Sequence, residues 1–442
     1  MIMLEILFVF AFIVFCIHSS STKILCLMFL LLPIHGAIKF IAFNDGGNIF
    51  AIWKEIGIMA ILIKTWTMRS ILSNKIKPLL VLFYLCCLIF AIVGFTNGFS
   101  MSGSVKRLVF PPLFAIAISQ VSFTQTSFKR LLLSIFIGSI IINITGVIDF
   151  LSPSIRMLFR NMMHVGYEIS TDGTIYYDVS SFSIMGFDRA SGLMAGGPNQ
   201  LGVFNCGILL FCVIAILFFK KMFISRKQKF ILYLATAMSA FLLLVSFSRA
   251  GWAMVAITFF ILMIKDKRMS RYAVHTAIIG IFCFILAIVF IPQVSTVVEG
   301  TLSGKEASSA ARADMTQTSF DKMLENSLGY GLGASDRMNK NYKGFAESSI
   351  INIGFETGVV GILILSLIIL YIARLCYKNR NLYLFAPFGY SFCCAYYITS
   401  WVSVNPFENP FVYYAWGFIG MSLNYSFMRY NLGKWKYFNM KN

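Results

Sequence analysis

Charge is scarce in this chain of 442 residues: Asp, Glu, Lys and Arg make up 12 %, against 58 % apolar residues. A soluble domain carries roughly twice that charge, so a water-soluble globule is excluded. Long loops hold no cysteine. All ten cysteines, Cys16, Cys26, Cys86, Cys87, Cys206, Cys212, Cys283, Cys376, Cys393 and Cys394, lie in or beside apolar stretches, which leaves neither a disulfide framework nor a Cys-ligated metal to expect. The four histidines, His18, His35, His164 and His275, have no ligand spacing, so no metal site is expected. A Gly-x-Ser-x-Gly elbow is missing. Gly329-Tyr-Gly-Leu-Gly333 follows no strand and lacks a Lys-Ser/Thr pair, so it is neither a Walker loop nor a dinucleotide fingerprint. Fixed-period repeats and low-complexity linkers are absent too. The N-terminus lacks a basic n-region and a small-residue cleavage site, and reads as a retained first span.

What the chain does have is apolar windows of about 20 residues from end to end, the length a helix needs to cross hydrocarbon. In lipid every backbone group must be bonded internally, which selects helices; a closed barrel would give short alternating segments instead. The expected fold is therefore an all-α polytopic membrane protein with about 12–13 transmembrane helices. Spans are expected near 2–18, 23–42, 47–64, 79–96, 106–122, 129–150, 199–219, 230–247, 250–264, 272–292, 348–373, 381–401 and 411–428. The third is weak, because Lys54 and Glu55 fall inside it.

The net charge of +19 would suit a nucleic-acid partner, but the basic residues crowd short loops between spans. Lys220, Lys221, Arg226, Lys227 and Lys229 share one, and Lys265, Lys267, Arg268 and Arg271 another. Arg374, Lys378 and Arg380 mark a third, and Arg429, Lys434, Lys436 and Lys441 the C-terminal tail. That is the positive-inside pattern; it marks the cytoplasmic side and argues against nucleic acid. The expected order is N-terminal transmembrane helices over 1–150, a periplasmic loop over 151–198 and central helices over 199–292. A larger periplasmic loop over 293–347 follows, then C-terminal helices and a cytoplasmic tail over 348–442.

Outside the basic loops three arginines stand out. Arg189 lies in Phe187-Asp-Arg-Ala-Ser-Gly, just before Gly196-Gly-Pro-Asn-Gln. Arg249 lies in Ser246-Phe-Ser-Arg-Ala-Gly-Trp252, between two spans with almost no loop. Arg312 lies in Ala311-Arg-Ala-Asp314, ahead of the Gly329 segment. A fixed cation near hydrocarbon is costly unless paired or meeting an anion, and the planar guanidinium fork grips phosphate oxygens with two bonds. The competing reading is that each snorkels, or pairs with a nearby acid such as Asp188 or Asp314. A second constellation is Phe345-Ala-Glu-Ser-Ser-Ile-Ile-Asn352, followed by Gly354, Glu356, Gly358 and Gly361. Glu347 stands at the mouth of a helix starting near Ser348, where an acid can complement the dipole or act as a general base. Glu356 lies deeper, and an acid at membrane depth is a functional candidate. The three glycines suit close helix packing. Tyr167, Tyr176, Tyr177 and Phe182 among Glu168, Asp172, Asp178 and Asp188 suit sugar rings or an interfacial aromatic belt.

The order of these motifs resembles the O-antigen ligase / O-antigen polymerase (Wzy-type) family of bacterial envelope glycosyltransferases, from about residue 187 to 375. The resemblance implies a GT-C-like, metal-independent, inverting transferase without a cofactor. Its substrates would be undecaprenyl-pyrophosphate-linked oligosaccharides at the periplasmic face of the inner membrane, with membrane lipids and a polysaccharide chain-length regulator as partners. Arg189, Arg249 and Arg312 would hold the pyrophosphate, with Asn199, Ser348 and Glu356 in support and Glu347 as the catalytic base. Ligases of the family typically carry His-Asn where this chain has Glu347-Ser348. That departure favours a polymerase of O-antigen or a related surface polysaccharide. The alternatives are a ligase that passes the glycan to lipid A-core and, from another class, a lipid-linked oligosaccharide flippase or transporter. Against the last stands the lack of repeated halves and interrupted helices.

Overall fold

The computed structural model describes residues 2–43, 49–68, 70–163, 187–194, 196–219, 225–265, 307–336 and 345–429, with pieces of 167–184 and scattered residues of 274–299. The apolar runs fold as helices, the form that satisfies the backbone without water. In chain order these are α1 (Ile2–His18), α2 (Ser21–Leu31), α3 (Trp53–Lys64), α4 (Ile71–Thr96), α5 (Ser102–Leu108), α6 (Phe110–Gln120), α7 (Gln125–Leu151) and α8 (Pro153–Met163). Then follow α9 (Gly197–Phe219), α10 (Arg226–Val245), α11 (Arg249–Lys265), α12 (Ala307–Glu325), α13 (Ser349–Lys378), α14 (Ala386–Val402) and α15 (Phe411–Ser422). The α2 segment continues through tighter and wider turns to Ala42. Two small antiparallel hairpins interrupt the helices, β1 (Tyr167–Ile169) with β2 (Ile175–Tyr177), and β3 (Ser183–Ile184) with β4 (Phe187–Asp188).

Six described helices are long and apolar enough to cross a membrane: α2 extended to Ala42, α4, α7, α9, α10 and α13. The chain is an all-α polytopic membrane protein. Helices α1, α11 and α14, each of 17 residues, stand at the short limit for a span. Several expected spans prove shorter. The 106–122 window splits at Val109, because Pro111 and Pro112 start a new helix and cannot continue the old one. The 47–64 window is α-helical only from Trp53, after a 3-10 turn over Phe50–Ile52, and Lys54 and Glu55 sit buried at its start. Lys54 Nζ lies 2.9 Å from His35 Nε2, and Tyr413 donates to Glu55 at 3.3 Å. Partners inside the bundle let two ionisable groups stand where lipid contact would exclude them. The window at 411–428 holds the 12-residue α15, and most of 272–292 lies outside the described residues.

Polar contacts tie the helix ends into two layers. At one end Lys64 donates to the Ile17 carbonyl, Ser70 pairs with Ser119 at 2.7 Å, and Phe123 N–H donates to Ser426. Lys129, Arg130, Arg226, Lys265 and Arg380 belong to this end. The opposite end gathers the C-termini of α4, α7 and α10 with the N-termini of α9, α11 and α13. Between the layers small polar side chains join helices: Asn143 on α7 donates to Asn205 on α9 at 2.8 Å and to Ser239 on α10 at 3.1 Å.

Candidate active site

All the motif residues whose structure is described lie at the end away from the basic loops, and there the chain builds two polar units. The first begins with Asp149, in the last turn of α7 and fully buried. Its Oδ2 accepts the N–H of Ser191 at 2.6 Å and of Gly192 at 3.0 Å, so it folds the Arg189-Ala-Ser-Gly segment back onto the helix. Arg156 on α8 lies 3.6 Å from Asp149 and also binds Asp188. Asp188, one expected partner of Arg189, is therefore engaged by Arg156.

Arg189 itself is 3 % exposed. Its Nε donates to the Ser246 carbonyl at 2.8 Å, and its Nη2 donates to Asn199 Oδ1 and, at 3.4 Å, to the Phe247 carbonyl. The N–H of Ala190 donates to the Val245 carbonyl. Phe247 has φ 48°, a left-handed conformation that costs a bulky residue about 1–3 kcal/mol. The Arg189 guanidinium grips the two carbonyls that this turn presents, which holds the strained link between α10 and α11. Arg249, two residues on and half-buried, opens α11. Gly251 lets α11 rest on Gly202 of α9: a Cβ there would meet the Gly202 carbonyl carbon at 3.0 Å. The Gly-Pro-Asn-Gln and Ser-Arg-Ala-Gly-Trp motifs are thus one packed unit, with Arg189 and Asn199 as its fastening.

The second unit is organised by a break in α13, which corrects the expectation that no helix would be interrupted. Gly358 has φ 64°, and the helix kinks there. The Gly329-Tyr-Gly-Leu-Gly333 segment fills the gap. Tyr330 N–H donates to the Phe355 carbonyl at 2.8 Å, Gly331 N–H to the Glu356 carbonyl at 3.1 Å, and Val359 N–H to the Ser327 carbonyl at 2.9 Å. The same segment reaches α4, where Leu332 N–H donates to the Phe90 carbonyl at 2.8 Å. Gly329, Gly331 and Gly333 all have positive φ, and a Cβ on Gly331 would press into the Gly94 backbone. Glycine is needed here for backbone-to-backbone docking.

That docking delivers Ser335 onto Glu356. The Glu356 carboxylate is buried; its Oε1 accepts from Ser335 at 2.6 Å, Ser104 at 2.7 Å and Arg107 at 3.2 Å. Arg107, on the short helix α5, also reaches Glu408 at 3.3 Å, so one guanidinium bridges two carboxylates. A small cleft beside the bridge is lined by Ser349, Asn352, Val404 and Phe407. Ser348 caps α13, accepting the Ile351 N–H at 3.3 Å. Glu347, half-buried, precedes the cap as the mouth position expected of it. Asn352 holds the approach to it by two 2.8 Å bonds to the Ala346 backbone.

The candidate residues therefore fall into both units: Arg189, Asn199 and Arg249 in the first, Glu347, Ser348 and Glu356 in the second. Arg312 lies on α12, and its side chain is outside the described residues. Gly354 and Gly358 serve close packing, against Met323 and the Ser327–Leu328 backbone. Sequence reasoning missed Asp149, Arg156, Arg107 and Glu408. The signal for Asp149 was an acid inside a span. Arg107 and Glu408 gave none, because a cation beside Lys106 at a span edge looks like an ordinary snorkelling residue.

No curated protein and no solved structure matches the chain. Residues 234–366 match the O-antigen ligase family. The match runs from α10 through the Arg249 turn and the Gly329 segment to the kinked half of α13, and so contains the elements that carry the motif resemblance. The chain thus carries an O-antigen ligase family domain over residues 234–366, consistent with the O-antigen ligase/polymerase resemblance of its motifs.

Proposed function

We propose that the protein is a polymerase of O-antigen or a related surface polysaccharide. It would join undecaprenyl-pyrophosphate-linked repeat units at the periplasmic face of the inner membrane. The observation that carries the reading is that an arginine unit and a carboxylate unit both stand at the end remote from the basic loops, within a chain bearing an O-antigen ligase domain. A sugar hydroxyl of one lipid-linked unit attacks the anomeric carbon of the growing chain. The new C–O bond forms with inversion as the bond to pyrophosphate breaks. The hydroxyl proton passes to a carboxylate at this end of the bundle, and undecaprenyl pyrophosphate leaves. The pyrophosphate is already a good leaving group, so the main demand is for fixed cations around its developing charge. Arg249 and Arg312 meet that demand in this reading, with Arg189 securing the turn that presents Arg249. No metal enters the chemistry proposed.

A gel separates polymerase from ligase. Deleting a polymerase gene should leave lipopolysaccharide core carrying a single repeat unit and no ladder. Bare core, with polymer stranded on undecaprenyl pyrophosphate, would identify a ligase instead. An unaltered ladder in a strain with no second copy would refute both.

A further inference from the structure

We propose that Glu408, oriented by Arg107, is the carboxylate that accepts the proton of the attacking sugar hydroxyl. The assignment rests on the polymerase reading and names a residue beyond its motifs. Three observations lead to it. First, the two carboxylates on Arg107 differ in access. Glu356 is 2 % exposed and its Oε1 already has three donors, whereas the Glu408 side chain is 34 % exposed at the rim. A proton acceptor must reach the hydroxyl, and Glu408 is the member of the pair that a substrate can touch. Second, the Glu408 segment is fixed to the mouth of α13. Ser349 N–H and Oγ donate to the Ser403 carbonyl at 3.2 and 3.0 Å, and Ser349 Oγ donates to the Val404 carbonyl at 2.8 Å. This places Glu408 on the connection packed directly against the Glu347-Ser348 position. Third, a small cleft beside Arg107 and Glu356, lined also by Ser349 and Asn352, runs against Phe407, the residue that precedes Glu408.

Arg107 serves as a positioning residue. It holds Glu408 from α5 while Glu356 holds Arg107 in turn, so the base is aimed through a chain of two ion pairs. The charged groups around Glu408 are Arg107, Asp336 and Glu356. Partial burial at the rim, together with Asp336 and Glu356, raises its pKa above the ordinary carboxylate value, although Arg107 opposes them. A base must be deprotonated to act, so turnover should fall on the acid side at a higher pH than an ordinary glutamate would give.

The test uses the full chain in proteoliposomes. The substrate is the lipid-linked single repeat unit extracted from a strain deleted for this gene, and turnover is measured from pH 4 to pH 9. Glu408→Gln should lower turnover by about 100-fold or more, with the acid limb of the profile lost and KM for the lipid-linked unit within about twofold of wild type. Glu408→Asp, which keeps the carboxylate, should recover part of the rate and restore the acid limb. Arg107→Lys should slow turnover and shift that limb. Loss of the acid limb in Glu347→Gln but not in Glu408→Gln would overturn the assignment. A Glu408→Gln protein with wild-type turnover and pH profile would overturn the assignment and leave the polymerase reading standing. So would a loss that Glu408→Asp does not relieve at all although it unfolds like wild type. If the wild-type protein joins no repeat units, the polymerase reading fails and this assignment fails with it.

Discussion

The Arg107–Glu356 pair invites a quantitative test of what holds the two halves of the chain together at the site end. The perturbation is Glu356→Gln. Removing one partner of a buried ion pair costs about 3–5 kcal/mol, because the other charge is left in a poor solvent. Two features of the structure reduce that figure. Arg107 keeps Glu408 at 3.3 Å. The glutamine amide oxygen can still accept from Ser104 and Ser335, which donate to the present Oε1 at 2.7 and 2.6 Å. The expected loss is about 2 kcal/mol for Glu356→Gln. Glu356→Ala also removes the acceptor and strands two hydroxyls at about 1 kcal/mol each, for a loss of about 4 kcal/mol. Unfolding in mixed detergent–SDS micelles, followed by tryptophan fluorescence, measures both. A Glu356→Gln protein within about 0.5 kcal/mol of wild type would refute the argument, since surface ion pairs are worth that little. So would equal losses for the two variants, because they differ by the hydrogen bonds.

Arg249→Lys should lose most polymer synthesis with little change in stability, because a point charge cannot reproduce a two-bonded grip on phosphate; full-length polymer from this variant would remove Arg249 from the pyrophosphate site. Arg189→Lys should also lose stability, by about 2 kcal/mol, since it abandons at least one of the Ser246 and Phe247 carbonyls and Asn199; normal unfolding of this variant would contradict the clamp. Gly331→Ala should cost about 3 kcal/mol, from a φ of 101° unsuited to alanine and from the lost docking of Leu332 on α4; a neutral result in the same micelle titration would mean the loop does not hold α13 open. Cysteines placed at Ser170 and Ser308 should be labelled by a membrane-impermeant maleimide in cells with only the outer membrane permeabilised; labelling that requires breaking the inner membrane would invert the topology.

The amino-acid sequence by itself determined the class of the fold, because helix in lipid follows from length and apolar content with no need of partners. The runs 79–96 and 129–150 read as spans, and they fall within Ile71–Thr96 and Gln125–Leu151, helices long and apolar enough to cross a membrane. The motif residues were legible as candidates for a related reason: a charge or a glycine inside apolar sequence has few inert explanations. What each of them does was decided by tertiary structure. Arg189 reads as a phosphate ligand in the sequence, and only the fold shows that the turn at Phe247 also presents it with two carbonyls. The glycines at 329, 331 and 333 acquire their purpose only when the break at Gly358 frees the carbonyls of Phe355 and Glu356 for them. Arg107 lies more than two hundred residues before Glu356 and Glu408, and the three carry no shared spacing. Their bridge exists because Pro111 and Pro112 end α5 early and leave Arg107 on a short helix at the site end, facing two acids delivered by other elements. Local pattern can report a residue's cost in a membrane; only the packed bundle settles which partner offsets it.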